Sequence, residues 1–234
     1  MSGTDWPAGW SVEWVAETGS TNDDLLAAGR GGAPDRTVRA ADHQTAGRGR
    51  LDRRWDAPPG ANLLVSLLLR DVPEHPHHVT QRVALAAVHA CRELTGVDAV
   101  LKWPNDVLLA DGRKLAGVLA QLGSDSGGPF VVVGIGVNVG WAPEGAASLD
   151  CAVTPRQLLH GLLVAFDELP AEIGPTYRSQ LATIGQQVRV ELPGDAFVLG
   201  RAIDVGDDGR LIVLDECAIT HRIDAGDVVH LRPA

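Results

Sequence analysis

Apolar residues along the chain follow two rhythms, and the places where the rhythm changes divide it into elements. Trp14-Val15-Ala16 reads as a short strand that enters a turn at Thr18-Gly19. Ser20-Thr21-Asn22-Asp23-Asp24 supplies capping side chains and first-turn acids, so a helix is expected through Leu25, Leu26 and Ala28, stopping near Gly29-Arg30-Gly31-Gly32. Val38 to Ala41 is a strand leading into a glycine- and arginine-rich loop over 45–54. The unbroken apolar run Asn62 to Leu69 predicts a strand buried on both faces. Val83, Ala87, Cys91 and Leu94 recur at helical spacing within Val79 to Leu94. Val100-Trp103, Val107-Leu109, Leu115-Gln121 and Phe130-Val139 then read as four strands. The turns between them, at Pro104-Asn105-Asp106, Asp111-Gly112 and Ser126-Gly127-Gly128, are short enough to predict an antiparallel meander.

Thr154-Pro155 is a cap followed by proline at the first helical position, opening a helix to about Phe166, and a shorter helix is expected over 176–182. After Gly185 the texture changes. Val188-Leu192, Phe197-Val205, Leu211-Leu214, Ile219-Ile223 and Val228-Leu231 are five short strands separated by Pro193-Gly194-Asp195, Asp207-Asp208-Gly209 and Ala225-Gly226-Asp227. Closely spaced short strands of this kind predict a small barrel, with a domain boundary near 185.

Composition narrows the function classes. The formal net charge of −10 argues against a general affinity for nucleic-acid phosphates. No apolar run is long enough to span a bilayer, and the first residues lack the basic start and apolar core of a secretory signal, so a cytoplasmic protein is expected. Cys91, Cys151 and Cys217 are far apart and odd in number, which implies reduced structural thiols. Only two lysines, Lys102 and Lys114, accompany eighteen arginines. A compact ammonium at two nearby places is a requirement that guanidinium meets poorly; a plain compositional bias toward arginine is the competing explanation.

Gly47-Arg48-Gly49-Arg50, continued by Arg53, Arg54 and Trp55, is the densest basic patch on this acidic chain. Glycines let backbone approach a ligand and arginine forks suit phosphate or carboxylate, although the order of a P-loop is absent; an RNA-contacting surface loop is the alternative. Gly134-Ile135-Gly136-Val137-Asn138 lacks the third glycine and the following helix of a dinucleotide-binding turn, so its small residues point either to close ligand approach or to packing. His75, His77 and His78 lie in a proline-broken stretch and offer a metal site or a solvated loop. Trp6, Trp10 and Trp14 form either a stacking ladder or a core stripe.

Ser20-Thr21-Asn22, Gln44-Thr45-Ala46-Gly47-Arg48-Gly49-Arg50, Gly60-Ala61-Asn62-Leu63, Lys102-Trp103-Pro104-Asn105-Asp106, Lys114-Leu115-Ala116-Gly117 and Gly134-Ile135-Gly136-Val137-Asn138, in this order, resemble biotin–protein ligase. The resemblance implies an α+β fold in which helices pack on a mixed/antiparallel sheet. It further implies a class II aminoacyl-tRNA synthetase-like catalytic domain over 1–185 and a small SH3-like β-barrel over 186–234. The activity it implies converts biotin and ATP to biotinyl-5′-AMP, with Mg²⁺, and then acylates a lysine of a biotin carboxyl carrier domain.

By the same resemblance Ser20, Thr21, Asn22, Gln44, Arg48, Gly49, Arg50, Lys114, Gly117 and Gly136 hold biotin. Arg48, Arg50, Trp55, Lys102, Asn105 and Asn138 hold ATP, with Trp55 stacking on adenine, and Asp106 is the metal carboxylate. Arg48 and Lys114 are the expected catalytic cations, since two unit anions about 4 Å apart repel by roughly 4 kcal/mol at an effective dielectric near 20. The loop over 47–55 is expected to be mobile without ligand. Asp52 stands where the family commonly has glycine, which bears on the geometry of that loop. The residues before Ser20 are too few for the helix-turn-helix that some members carry, so no DNA partner is expected, and no membrane partner either. Monomer and homodimer both stay open. A lipoate or octanoate ligase of the same fold, or a biotin sensor without turnover, are the rival readings.

Overall fold

The computed structural model describes residues 6–50, 53–150, 152–192, 194, 196–224 and 226–231. Leu51, Asp52, Cys151, Pro193, Asp195 and Ala225 lie outside the described residues. The expectations resting on Asp52, on the Cys151 thiol and on the two turns at 193–195 and 225 therefore fall there too.

The first part is a seven-stranded sheet. Its strands are β1 (Ser11–Thr18), β2 (Thr37–Gln44), β3 (Leu63–Leu69), β4 (Ala99–Lys102), β5 (Asp106–Leu109), β6 (Lys114–Asp125) and β7 (Gly128–Val137), in the spatial order β1-β2-β3-β7-β6-β5-β4. Only β1 and β2 run parallel; every other pair is antiparallel, so the sheet is mixed and the expected meander from β4 to β7 is present. Helix α1 (Thr21–Arg30) follows β1, α2 (His77–Thr95) follows β3, and α3 (Pro155–Glu168) follows β7.

Strand alternation sorts residues between two environments. On β7, Val131, Val133, Ile135 and Val137 enter the main core with α2 and α3. Phe130 and Val132 pack with Leu25, Leu26 and Leu68 under α1. Past these, the α1 face of β7 continues as Gly134 and Gly136, so the sheet surface is bare beyond the N-terminus of α1. Helices α1 and α3 start on side-chain caps. The Ser20 Oγ accepts from the Asp23 N–H, and Thr154 forms a reciprocal capping box with Gln157 ahead of Pro155.

The short helix α4 spans Gly174–Ser179 rather than 176–182. Tertiary pairing decides this difference. The Leu101 N–H donates to the Gln180 carbonyl and the Ala182 N–H to the Leu101 carbonyl, so 180–182 is taken up along β4. The last part is a five-stranded antiparallel sheet of β8 (Gln187–Glu191), β9 (Phe197–Val205), β10 (Leu211–Leu214), β11 (Thr220–Ile223) and β12 (Asp227–His230), ordered β11-β10-β9-β8-β12. Its inward residues Val188, Val190, Ala202, Leu211 and Val213 join the main core. Buried Trp103 donates its indole N–H to the Gly209 carbonyl at 3.0 Å across the junction.

The tryptophan stripe is structural: Trp10 is buried edge-on against Phe166, and Trp14 donates to Asp42 beneath the Arg156 guanidinium. The histidines at 75–78 meet each other, Asp224 and the Asp207 carbonyl. Among the described residues no helix is long and apolar enough to cross a membrane.

Candidate active site

Glycine on two adjacent strands leaves room above the sheet. A Cβ at Gly136 would lie 2.4 Å from the Trp55 ring, one at Gly134 would lie 2.2 Å from Asn22 Oδ1, and one at Gly117 would lie 3.1 Å from Lys114 Nζ. A cavity of about 590 Å³ opens over this floor, a size suited to a small-molecule substrate. One wall is the start of α1, with Ser20, Thr21, Asn22 and Asp23; Arg48–Arg50 and Arg53–Trp55 line it from another side, and Asn105, Asp106 and Lys114 close the other end.

The arginine-rich residues on either side of 51–52 pair with one another. Gly49 N–H donates to the Arg53 carbonyl at 2.7 Å and Trp55 N–H to the Gly47 carbonyl at 3.0 Å, with a bridge between Arg48 and Arg54. Glycine is required at 47, where a Cβ would sit 2.4 Å from the Trp55 carbonyl oxygen. Trp55 thereby comes down onto the glycine floor, with Lys114 Nζ 5.6 Å from its ring centroid. Its indole nitrogen is buried without a hydrogen-bond partner among the described residues.

Five basic side chains and four carboxylates line the cavity. Each cation has an acidic neighbour: Lys114 Nζ lies 2.6 Å from Asp106 Oδ1, Arg48 3.6 Å from Asp23, Arg50 3.8 Å from Asp227, and Arg54 3.6 Å from Asp56. Arg53 also pairs with Asp227. Arg50 further donates to Asn105 Oδ1 at 3.3 Å and to the Gly226 carbonyl at 3.2 Å. The five-stranded sheet therefore reaches the cavity through the first turn of β12.

The expected site residues gather here with one exception. Ser20, Thr21, Asn22, Gln44, Arg48, Gly49, Arg50, Trp55, Asn105, Asp106, Lys114, Gly117, Gly136 and Asn138 all line the cavity. Lys102 does not; its charge acts on His230, whose pKa burial and then this ammonium both lower. Two members spend their polar groups on architecture. Asn138 donates to the Ala147 carbonyl at 3.0 Å and accepts from Asn62, while Asn105 donates to the Val118 carbonyl at 2.8 Å. Asp106 offers a single carboxylate that already faces Lys114, and among the described residues there is no cluster of three potential metal ligands. Asp23, Gln121 and Asp227 also line the cavity and Ser66 lies behind Asn22, and none of the four is read as a site residue from sequence. Of these only Ser66 carried a signal, as the one polar residue within the apolar run of β3.

This architecture is that of a known enzyme class, and the chain belongs to the Biotin/lipoate A/B protein ligase family, whose pattern matches residues 17–138. A second match, the Biotin protein ligase C terminal domain over 183–231, places it on the biotin side of that family. A Mycobacterium tuberculosis biotin–[acetyl-CoA-carboxylase] ligase is 42% identical, across 96% of this chain and 91% of its own. The Bacillus subtilis bifunctional ligase/repressor BirA is 30% identical, across 77% of this chain and 62% of its own length. The solved structure of the Aquifex aeolicus biotin protein ligase in complex with biotin and ATP superposes with a TM-score of 0.79 at 26% identity, covering 95% of this chain and 99% of that one.

Proposed function

We propose that this protein joins biotin to ATP, forming biotinyl-5′-AMP and pyrophosphate, and passes the biotinyl group to one lysine of a biotin carboxyl carrier domain. The observation that carries this reading is the glycine-floored cavity with Lys114 and the Arg48–Arg50 segment converging on it. In it, the biotin head lies against Ser20, Thr21, Asn22 and Gln44, and its carboxylate points toward Lys114. The carboxylate oxygen attacks the α-phosphorus, the bond from phosphorus to the bridging oxygen breaks, and pyrophosphate leaves. Both partners are anions, so the reaction needs fixed cations where they meet. Lys114 and Arg48 are those cations, with Arg50 and Arg53 beside them.

Each cation is held by a carboxylate before substrate arrives, and substrate anions replace Asp23, Asp106 and Asp227 as its partners. A lone carboxylate suits Mg²⁺ that arrives already bound to a triphosphate, and Asp106 is the residue that would hold it. That ion would offset phosphate charge. Adenine takes the exposed face of Trp55, a contact worth about 1–3 kcal/mol for a stacked base. In the second step the acceptor lysine amine attacks the acyl carbon of the mixed anhydride, AMP leaves, and an amide forms. We assign the catalytic domain to 1–185 and an SH3-like domain to 186–234, working in the cytoplasm where ATP and carrier are available. The decisive experiment is transfer of labelled biotin to a purified carrier domain with ATP and Mg²⁺. Label on the carrier lysine is expected, and no ATP-dependent transfer overturns the assignment.

A further inference from the structure

Ser66 sits at the centre of β3, wholly buried, in a strand whose other members are leucine and valine. Packing alone gives no reason for a hydroxyl there. The register places it beside Gly134 on β7, which pairs with Leu119 on β6. The Asn22 carboxamide lies across this row. Its Oδ1 accepts from Ser66 Oγ at 2.6 Å, and its Nδ2 donates to the Leu119 carbonyl at 3.3 Å and to Gln121 Oε1 at 2.8 Å. Gly134 is the gap that admits it, since a Cβ there would meet Asn22 Oδ1 at 2.2 Å.

Counting protons fixes the direction of the chain. The Leu119 carbonyl can only accept, so Asn22 must turn its NH₂ toward β6 and its oxygen toward Ser66. Ser66 has one proton and gives it to Asn22. Thr21 Oγ1 then lies 2.7 Å from Ser66 Oγ and 3.0 Å from Gln44 Oε1, also with one proton. Gln44 Oε1 already receives the Thr21 backbone N–H at 2.7 Å, which fixes that amide oxygen inward. The Thr21 hydroxyl proton is therefore shared between two acceptors, Gln44 Oε1 and Ser66 Oγ. The run is Thr21 to Ser66 to Asn22 to Gln121. The side-chain polar protons of Thr21 and Asn22 are all directed at protein. Gln44 Nε2 and Gln121 Nε2 have no hydrogen-bond partner among the described residues, and both residues line the cavity.

We infer that Ser66 is a positioning residue for recognition of a cyclic urea: by donating to Asn22 and accepting from Thr21 it sorts the cavity wall into fixed acceptors and free amide donors. A ureido ring carries one carbonyl acceptor flanked by two N–H donors. A wall offering the second lone pair of Asn22 Oδ1 alongside the Gln44 and Gln121 amides has the mixed polarity such a ring needs. This inference rests on the proposed reaction with biotin. Ser66 touches neither the phosphate site nor Lys114, so it acts on binding of the head group and not on the chemical step.

The test compares Ser66→Ala and Ser66→Cys in biotin-dependent exchange of pyrophosphate into ATP. Cysteine fills the same place with a slightly larger group that is only a weak donor. Both variants are expected to raise the KM for biotin by about tenfold, as for loss of one buried hydrogen bond, with kcat and the KM for ATP within about twofold of the parent. A cysteine variant that matches the parent would show that only volume matters and would overturn the inference, as would an alanine variant with unchanged KM. If the alanine variant does not fold, the cysteine variant decides alone. Absence of biotin-dependent exchange in the parent protein is a different outcome and sinks the proposed reaction itself.

Discussion

Lys114→Ala separates the roles of the two charges at the far end of the cavity. Lys114 Nζ is 2.6 Å from Asp106 Oδ1 and 5.6 Å from the Trp55 ring centroid, so its loss removes three things. The first is a fixed cation on the developing phosphate charge, about 2.7–4 kcal/mol by analogy with single oxyanion donors. The second is the neutralisation of Asp106. An uncompensated carboxylate about 4 Å from a phosphate costs roughly 4 kcal/mol at an effective dielectric near 20, and side chains with 38% and 21% exposure reduce that to about 1–2 kcal/mol. The third is the contact with Trp55, about 0.5–1 kcal/mol. Together these amount to about 4–7 kcal/mol, or roughly 10³–10⁵ in adenylate formation at about 1.4 kcal/mol per tenfold. The assay is biotin-dependent exchange of pyrophosphate into ATP, with biotin affinity measured in parallel by calorimetry. Adding Asp106→Asn to Lys114→Ala relieves the second effect but also removes the proposed Mg²⁺ carboxylate, so the double variant is expected to lose about 10-fold less than the sum of the two single losses. Turnover within tenfold of the parent after Lys114→Ala refutes the role of the cation. A double variant whose loss equals the sum of the two single losses refutes the view that Asp106 is its counter-charge.

Three further outcomes follow from the same geometry. Asp227→Asn removes the shared acidic partner of Arg50 and Arg53, and amide exchange over Gly47–Arg50 and Arg53–Trp55 is expected to accelerate by roughly 5–30-fold, the equivalent of about 1–2 kcal/mol; unchanged protection means the β12 contact does not hold the segment. Gly136→Ala places a methyl 2.4 Å from the Trp55 ring and is expected to cut turnover by at least about tenfold while leaving the thermal midpoint nearly unchanged, and equal losses of both would show a defect of folding instead. His230 is held neutral by burial first and by the Lys102 charge second, with its ring nitrogen 3.3 Å from the Thr183 hydroxyl. Its folded pKa lies below the unfolded value near 6.5, so the unfolded chain binds more protons there and stability falls as pH drops below about 6.5. His230→Gln should flatten that limb between pH 7 and pH 5.5 in denaturant titrations, and an unaltered slope would show that this histidine is not the source.

Much of the site was legible because the residues that build it are close in sequence and follow local rules. Ser20 caps a helix wherever it occurs, Gly47 and Gly49 mark a backbone that must come near something, and the switch from valine to glycine at 134 and 136 marks a strand whose one face stays apolar while the other is cleared. Alternation along β7 and helical spacing along α2 fixed the elements to within a few residues, since each is set by which side of a local repeat is apolar. Lys102 shows the limit. Its motif neighbours Asn105 and Asp106 reach the cavity, but Lys102 ends β4 while Asp106 begins β5, and Lys102 stays off the cavity lining, its charge instead adding to burial in lowering the His230 pKa.

What sequence alone determined was the order and type of the elements, the change of texture near 185, and the residues able to hold anions, because helix caps, strand alternation and charge are properties of short stretches. Tertiary structure decided which groups face one another. Asp227 meets Arg50 and Arg53 from 174 and more positions away, and Ser66, Asn22 and Gln121 share one hydrogen-bonded row only because β3, β7 and β6 lie side by side. No local repeat encodes such pairings. They arise when burial of the apolar faces fixes the strand order and register, and each polar group left beside the core must then find its partner among whatever that register brings near.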